Sequence, residues 1–376
     1  MTVLANARIV TPTAVVKGAV RLDGNDIAGV EPGRVAGDID CGGNFLLPGL
    51  VDLHTDEVEK YFEPRPGIFW NPLAAAVAHD SQVAASGITT VFDALPFGTS
   101  YRKIERKTAL EPILGGLAEA AKAGVLRAEH FLHARCEVTD PDTVGILAPY
   151  LTDPRLRFIT LMDHAPGHRQ SPDILEYRRR HLASQRLTEA QMDEHIDSLI
   201  QRSKEVAPQV RADLVRLGHA HGIPMGSHDD ETAAHVELSA AENLAISEFP
   251  TSLAAAERAR QLGLLNLMGG PNVVRGGSSY GNVSARDLAE AGLLDLLASD
   301  YVPASMLHAV FLLGGEGGVA DLPAAVHWAS AAPAAAAGLD DRGVIAPGKR
   351  ADLIQVRLAN GVPVVQATYV AGRRVI

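Results

Sequence analysis

Between Leu47 and Ser299 the chain repeats one pattern: a short, nearly all-apolar run, then a longer stretch whose apolar residues recur at helical spacing. Short apolar runs bounded by turn residues read as buried strands, and the intervening stretches as helices. The runs are the one ending at His54, then Ile88 to Asp93, Glu129 to Val138, Phe158 to Met162, Ile223 to Ser227, Ala245 to Phe249, Leu265 to Met268 and Leu296 to Ser299. Helices are expected from about Pro72 to Ser86, capped by Gly87, and from Ile104 to Lys122, closed by Gly124. The charged segment Pro172 to Gly218 also reads as helical, with Arg178-Arg179-Arg180 as a solvated face. Repeated strand–helix units predict a parallel sheet, and eight of them predict a closed (β/α)8 barrel over residues 46–343. An open doubly wound sheet is the alternative, but no glycine-rich dinucleotide loop follows the first strand.

The two ends differ from this middle. Leu4 to Val10, Ala14 to Leu22 and Asn25 to Val30 are β-like runs with glycine turns, and Ala351 to Val356 with a hairpin about Ala371-Gly372 repeats the style. Chain ends often lie close together. Residues 1–45 and 344–376 are therefore expected to form one small β-sandwich domain.

Chemistry gathers where strands end, which in such a barrel is where active sites form. Pro48-Gly49 fixes the start of the first strand, and His54 and Asp56 lie two apart at its end, so both can face one ion. Glu137 ends the third strand with His133 and Arg135 on the same face; Asp163-His164 follow the fourth, His228-Asp229-Asp230 the fifth, and Asp300 the eighth. A lone His or Asp at a strand end is usually a cap; five such ends in one barrel point to metal. Imidazole with carboxylate suits zinc foremost, with manganese, iron or nickel as alternatives. His54, Asp56, Glu137, His164, His228 and Asp300 are enough for two divalent ions, with Glu137 as a bridging carboxylate and Asp300 able to serve as general base. His168 is an alternative ligand, while His79, His195, His219, His221, His235, His308 and His327 fall in helical stretches and suit core or surface roles.

Basic and small residues crowd the same loops. Lys60, Arg65, Arg135, Arg169 and Arg275 lie at or beyond strand ends. Gly269-Gly270-Pro271-Asn272 and the stretch from Arg275 to Asn282 offer backbone N–H groups to an anion; turn flexibility explains the glycines equally well. Arginines beside them favour a polyphosphate or phosphonate ligand.

Composition narrows the classes. With 34 Lys plus Arg against 45 Asp plus Glu, the formal charge of −11 opposes general binding to nucleic acid or anionic membrane. Cys41 and Cys136 are the only cysteines, which fits a reducing cytoplasm. No signal-peptide pattern opens the chain, and no apolar run is long enough to span a bilayer. A homo-oligomer is left open.

Pro48-Gly49-Leu50-Val51-Asp52-Leu53-His54, Gly87-Ile88-Thr89-Thr90-Val91 and Ala346-Pro347-Gly348-Lys349-Arg350-Ala351-Asp352-Leu353 resemble the first strand, second strand and return segment of the amidohydrolase superfamily. That superfamily usually carries His-x-His where this chain has His54-Thr55-Asp56. A narrower set resembles its members in phosphonate catabolism, beside carbon–phosphorus lyase. The set comprises Glu59-Lys60, Pro64-Arg65-Pro66-Gly67, Met162-Asp163-His164-Ala165-Pro166-Gly167, Ser227-His228-Asp229-Asp230-Glu231-Thr232, Glu248-Phe249-Pro250-Thr251, Pro271-Asn272-Val273-Val274-Arg275-Gly276-Gly277-Ser278 and Leu297-Ala298-Ser299-Asp300-Tyr301. This resemblance implies hydrolysis of a phosphoanhydride, with pyrophosphate released from a ribose 1-methylphosphonate 5-triphosphate. It also leaves Glu248 as an alternative ligand, because superfamily histidines usually close the fifth and sixth strands. Amide hydrolysis or deamination of a small substrate is the second reading, and a silent binding protein the third.

Overall fold

The computed structural model describes residues 1–65, 67–99, 104–184, 187–278 and 281–376, with the side chains of 104–109 and 183–184 excepted. Pro66 and Ser279-Tyr280 of the quoted motifs lie outside the described residues.

Five strands come first: β1 (Thr2–Val10), β2 (Val15–Asp23), β3 (Asp26–Pro32), β4 (Ile39–Asp40) and β5 (Phe45–Pro48). The barrel strands follow: β6 (Leu50–Thr55), β7 (Ile88–Phe97), β8 (Glu129–Glu137), β9 (Leu156–Met162), β10 (Met225–His228), β11 (Ile246–Glu248), β12 (Leu265–Gly269) and β13 (Leu296–Ala298). The chain closes with β14 (Leu353–Ala359), β15 (Val362–Val370) and β16 (Arg373–Arg374).

Strands β6 to β13 pair in sequence order, every pair parallel. Closure between first and last is made by one residue. The Asp300 N–H donates to His54 O at 2.9 Å, and the Asp56 N–H donates to Asp300 O at 3.1 Å. Buried Asp52 reinforces the seam, its Oδ1 accepting from Ser299 N at 3.0 Å and His54 N at 3.2 Å. The barrel interior is filled by Val51, Leu53, Phe92, Phe131, Phe158, Ile246, Leu267 and Leu296. Two residues further along, several of the same inward rows present His133, Thr160 and Glu248, because alternate residues of a strand share a face.

The two chain ends share one sheet in the order β16–β15–β14–β5–β1–β2–β3, with β4 on β1. Its far edge folds back on the return segment: Ile27 N–H donates to Lys349 O at 2.8 Å and Gly348 N–H to Ile27 O at 2.9 Å. One core of Leu4, Ile9, Val20, Ile27, Leu46, Leu353 and Tyr369 fills it. The charged segment after β9 becomes three helices, Ile174–Ser184, Glu189–Glu205 and Ala207–Ala220. The second opens with a Thr188/Gln191 capping box.

Gly269 and Gly270 do not form the open anion loop expected of them. Gly269 ends β12 and Gly270 begins the helix Gly270–Arg275. A Cβ on Gly269 would stand 3.1 Å from Asp300 Oδ2, and one on Gly270 would stand 2.7 Å from Ser305 Oγ. Packing against the backbone of Ser305 and Met306 requires Gly270, and a Cβ at Gly269 would crowd the Asp300 carboxylate.

Candidate metal centre and its cleft

The strand ends converge. Donor atoms within 4.8 Å of one another form three groups at the barrel mouth: His54, Asp56 and Asp300; His164, His228 and Asp229; and His54, His133 and Glu248. His54 and His228 lie nearly parallel, ring centroids 5.8 Å apart, with Phe249 edge-on to both at 5.0 and 5.3 Å. Asp229, Phe249 and Asp300 have φ values of +54°, +51° and +55°. Side chains other than glycine rarely adopt this region, and such backbone clusters at functional sites.

Glu248 orients the pair. His54 Nδ1 and His228 Nδ1 each lie 3.1 Å from one of its oxygens, and the carboxylate is wholly buried. An ionised carboxylate only accepts, so both Nδ1 atoms carry the proton and both Nε2 lone pairs are left for another partner. Burial, reinforced by the Arg135 charge at His54 and opposed by Glu248 at His228, lowers both imidazole pKa values to about 3. They are neutral at physiological pH, as metal ligation requires.

The carboxylates carry the opposite signal. Burial and the Asp56 charge push Asp300 up to about 8, and burial pushes Asp229 up to about 6. Asp229 Oδ2 is buried without a hydrogen-bond partner among the described residues, 3.4 Å from His228 Nε2. Crowded acids, neutral imidazoles with free Nε2 atoms and an orphaned carboxylate oxygen fit divalent cations.

Other expected residues fall in varied places. Glu137 Oε2 accepts from His164 Nδ1 at 2.8 Å and its Oε1 from Thr139 Oγ1 at 2.7 Å, so it orients His164 and joins none of the three groups. Despite burial, Glu137 raises the pKa of His164. His168 lies 3.5 Å from Asp163. Arg169 is buried, its Nη1 2.9 Å from both Asp230 Oδ1 and His228 O, so it braces the loop after β10 instead of facing open space. Lys60 pairs with Glu57 at 2.6 Å, and exposed Arg65 lines neither cavity described next. His133 was visible as a face-mate of Glu137, but its pairing to Leu53 O at 3.0 Å and to Thr160 was not.

Two cavities open over the centre. One, of about 360 Å³, is lined by His54, His228, Asp300, Asn272, Arg275 and Asn282. The other, of about 300 Å³, is lined by Glu137, His164, His168, Tyr177 and His181. Asp56, Arg135 and Gln170 line both. Arg135 Nη1 is 3.4 Å from Asp56 Oδ2.

A parallel barrel with His and Asp donors at the carboxyl ends of its strands, joined to a sheet from both termini, defines a class. The amidohydrolase family pattern matches residues 45–375, and the chain belongs to that family. It is 40% identical over 355 residues, 94% of each chain, to alpha-D-ribose 1-methylphosphonate 5-triphosphate diphosphatase of Escherichia coli (strain K12). Among solved structures it is similar to a 5-methylcytosine deaminase from Klebsiella pneumoniae, with TM-score 0.63, 13% identity and coverage of 100% of this chain and 98% of that one. It is also similar to N-acetylglucosamine-6-phosphate deacetylase from Pasteurella multocida, with TM-score 0.59, 15% identity and 99% of each chain covered. At such identities these two show the fold alone. No helix among the described residues is long and apolar enough to cross a membrane.

Proposed function

We propose that this protein is a metal-dependent hydrolase that converts alpha-D-ribose 1-methylphosphonate 5-triphosphate to the 5-phosphate and pyrophosphate, in cytoplasmic phosphonate catabolism. The near-full-length likeness to the Escherichia coli diphosphatase carries this reading. The exposed Arg275, which lines the same cavity as the donor groups, supports it.

Two divalent cations, zinc foremost, fit His54, Asp56 and Asp300 on one side and His164, His228 and Asp229 on the other; bound there, they supply Lewis-acid polarisation and charge neutralisation. The chain's own residues do the rest. Asp300, ionised once positive charge lies beside it, takes a proton from the attacking water. The water oxygen bonds to the α phosphorus as the bond from that phosphorus to the α–β bridging oxygen breaks, and pyrophosphate leaves with the electron pair. In this reading Arg135 offsets the charge that builds on the α phosphoryl oxygens, and Arg275 and Asn282 that on the leaving group; all three line the cavity over the donor groups. Glu137 and Glu248 hold the imidazoles in position.

Following the triphosphate with purified, metal-loaded protein by ³¹P NMR tests this. Pyrophosphate and the 5-phosphate are expected in equal amounts; release of single phosphates overturns the assignment.

A further inference from the structure

The two cavities differ in the charge they have to offer. In the first, Arg275 is exposed at the end of its helix and makes no ion pair among the described residues; Asn272 and Asn282 stand beside it. The acids there, Asp56, Asp229 and Asp300, are those of the donor groups. In the second cavity the basic groups not shared with the first already have partners. His164 is held by Glu137 at 2.8 Å, His168 by Asp163 at 3.5 Å, and His181 Nδ1 by Tyr177 O at 2.8 Å. In that cavity the Tyr177 and His181 rings stack with centroids 4.1 Å apart, near Met162 and Pro96. Between the two stands Arg135, with Nε buried and unpartnered among the described residues.

A substrate with a polyanionic end and a sugar end bearing a singly charged methylphosphonate ester has matching asymmetry. Resting on the reading above, we propose that the second cavity is the sugar–phosphonate subsite, and that the substrate lies across both cavities in one direction. The β and γ phosphates occupy the first cavity at Arg275. The α phosphate sits at the shared wall by Arg135 and Asp56, with Asp300 on its first-cavity side. The ribose and its methylphosphonate fill the second cavity against His181 and Tyr177. Breaking the bond to the α–β bridging oxygen then leaves pyrophosphate in the first cavity and the 5-phosphate in the second.

Product inhibition of the metal-loaded enzyme separates the two ends. The probes are inorganic pyrophosphate and the purified 5-phosphate product, with Arg275→Met in the first cavity and His181→Ala in the second. A lost hydrogen bond to a charged group weakens binding by about tenfold or more. Arg275→Met is expected to raise the inhibition constant of pyrophosphate by that factor and leave that of the 5-phosphate within about twofold; His181→Ala, which removes the ring the sugar packs on, is expected to weaken the 5-phosphate by about threefold or more and leave pyrophosphate within about twofold. Pyrophosphate inhibition untouched by Arg275→Met but weakened by His181→Ala overturns the direction, and equal effects of either variant on both products overturn the division into subsites. In both cases pyrophosphate release by the wild-type enzyme leaves the assigned reaction standing. A wild-type enzyme that releases none overturns the reaction and the subsites together. Circular dichroism of each variant confirms that a changed constant is not a folding defect.

Discussion

Glu248 Oε2 lies 3.1 Å from His228 Nδ1 in a wholly buried contact, and its other oxygen makes the same contact with His54. One carboxylate therefore fixes the proton position of two imidazoles. Glutamine in its place offers one acceptor oxygen and one donor nitrogen, so it can satisfy only one of them. Glu248→Gln is expected to lower metal affinity by about 10–100-fold, measured by chelator competition. Unchanged affinity would remove Glu248 from the support of the centre.

Asp300 closes the barrel through its backbone and faces the cleft through its side chain. Asp300→Asn keeps the size and one oxygen ligand but loses the base. Turnover is expected to fall by about 10²–10⁴-fold while most of the bound metal is retained. Metal content by elemental analysis beside kcat decides it, and near-normal kcat takes Asp300 out of the proton path.

Arg169 is expected to act on stability more than on substrate. Its ion pair with Asp230 is almost fully buried, and removing one partner of such a pair costs about 3–5 kcal/mol. Arg169→Met is therefore expected to lower the unfolding free energy in urea by an amount of that order. A raised KM with unchanged stability would instead place the guanidinium against substrate.

A second histidine cluster sets a pH dependence. His79 Nε2 and His130 Nδ1 flank Asp93 at 2.7 and 2.8 Å, and His130 Nε2 lies 3.4 Å from Asp80, itself paired with Arg127 at 3.0 Å. Burial works against the charge on His130, but Asp93 and Asp80 outweigh it and raise its pKa from 6.5 to about 9. A group raised on folding contributes fully below its unfolded value and loses that contribution as pH rises through the folded one. Stability is expected to decline between about pH 6.5 and 9, and His130→Gln is expected to flatten that decline in urea titrations. A wild-type curve level across this window would contradict it.

The barrel was legible because its strands are short, mainly apolar runs and five of the eight end beside a His, Asp or Glu, so strand number and site location came from one signal. His54, Asp56, His228 and Asp300 were readable for the same reason. The supporting contacts were not. That Glu248 serves two rings depends on the register of β10 against β11, where His228 faces Glu248, and no local pattern encodes that pairing. Arg169 looked free because its partner Asp230 lies 61 residues on, beyond intervening helices. Gly269 and Gly270 looked like loop residues because a tight approach to Asp300 and Ser305 has the same local sequence as a turn.

The central claim is water attack on the α phosphorus at the shared wall of the two cavities, and hydrolysis in ¹⁸O-labelled water tests it most directly. Mass spectrometry of the separated products is expected to place one ¹⁸O in the 5-phosphate and none in pyrophosphate. Label in pyrophosphate, or single phosphates as products, would contradict the account.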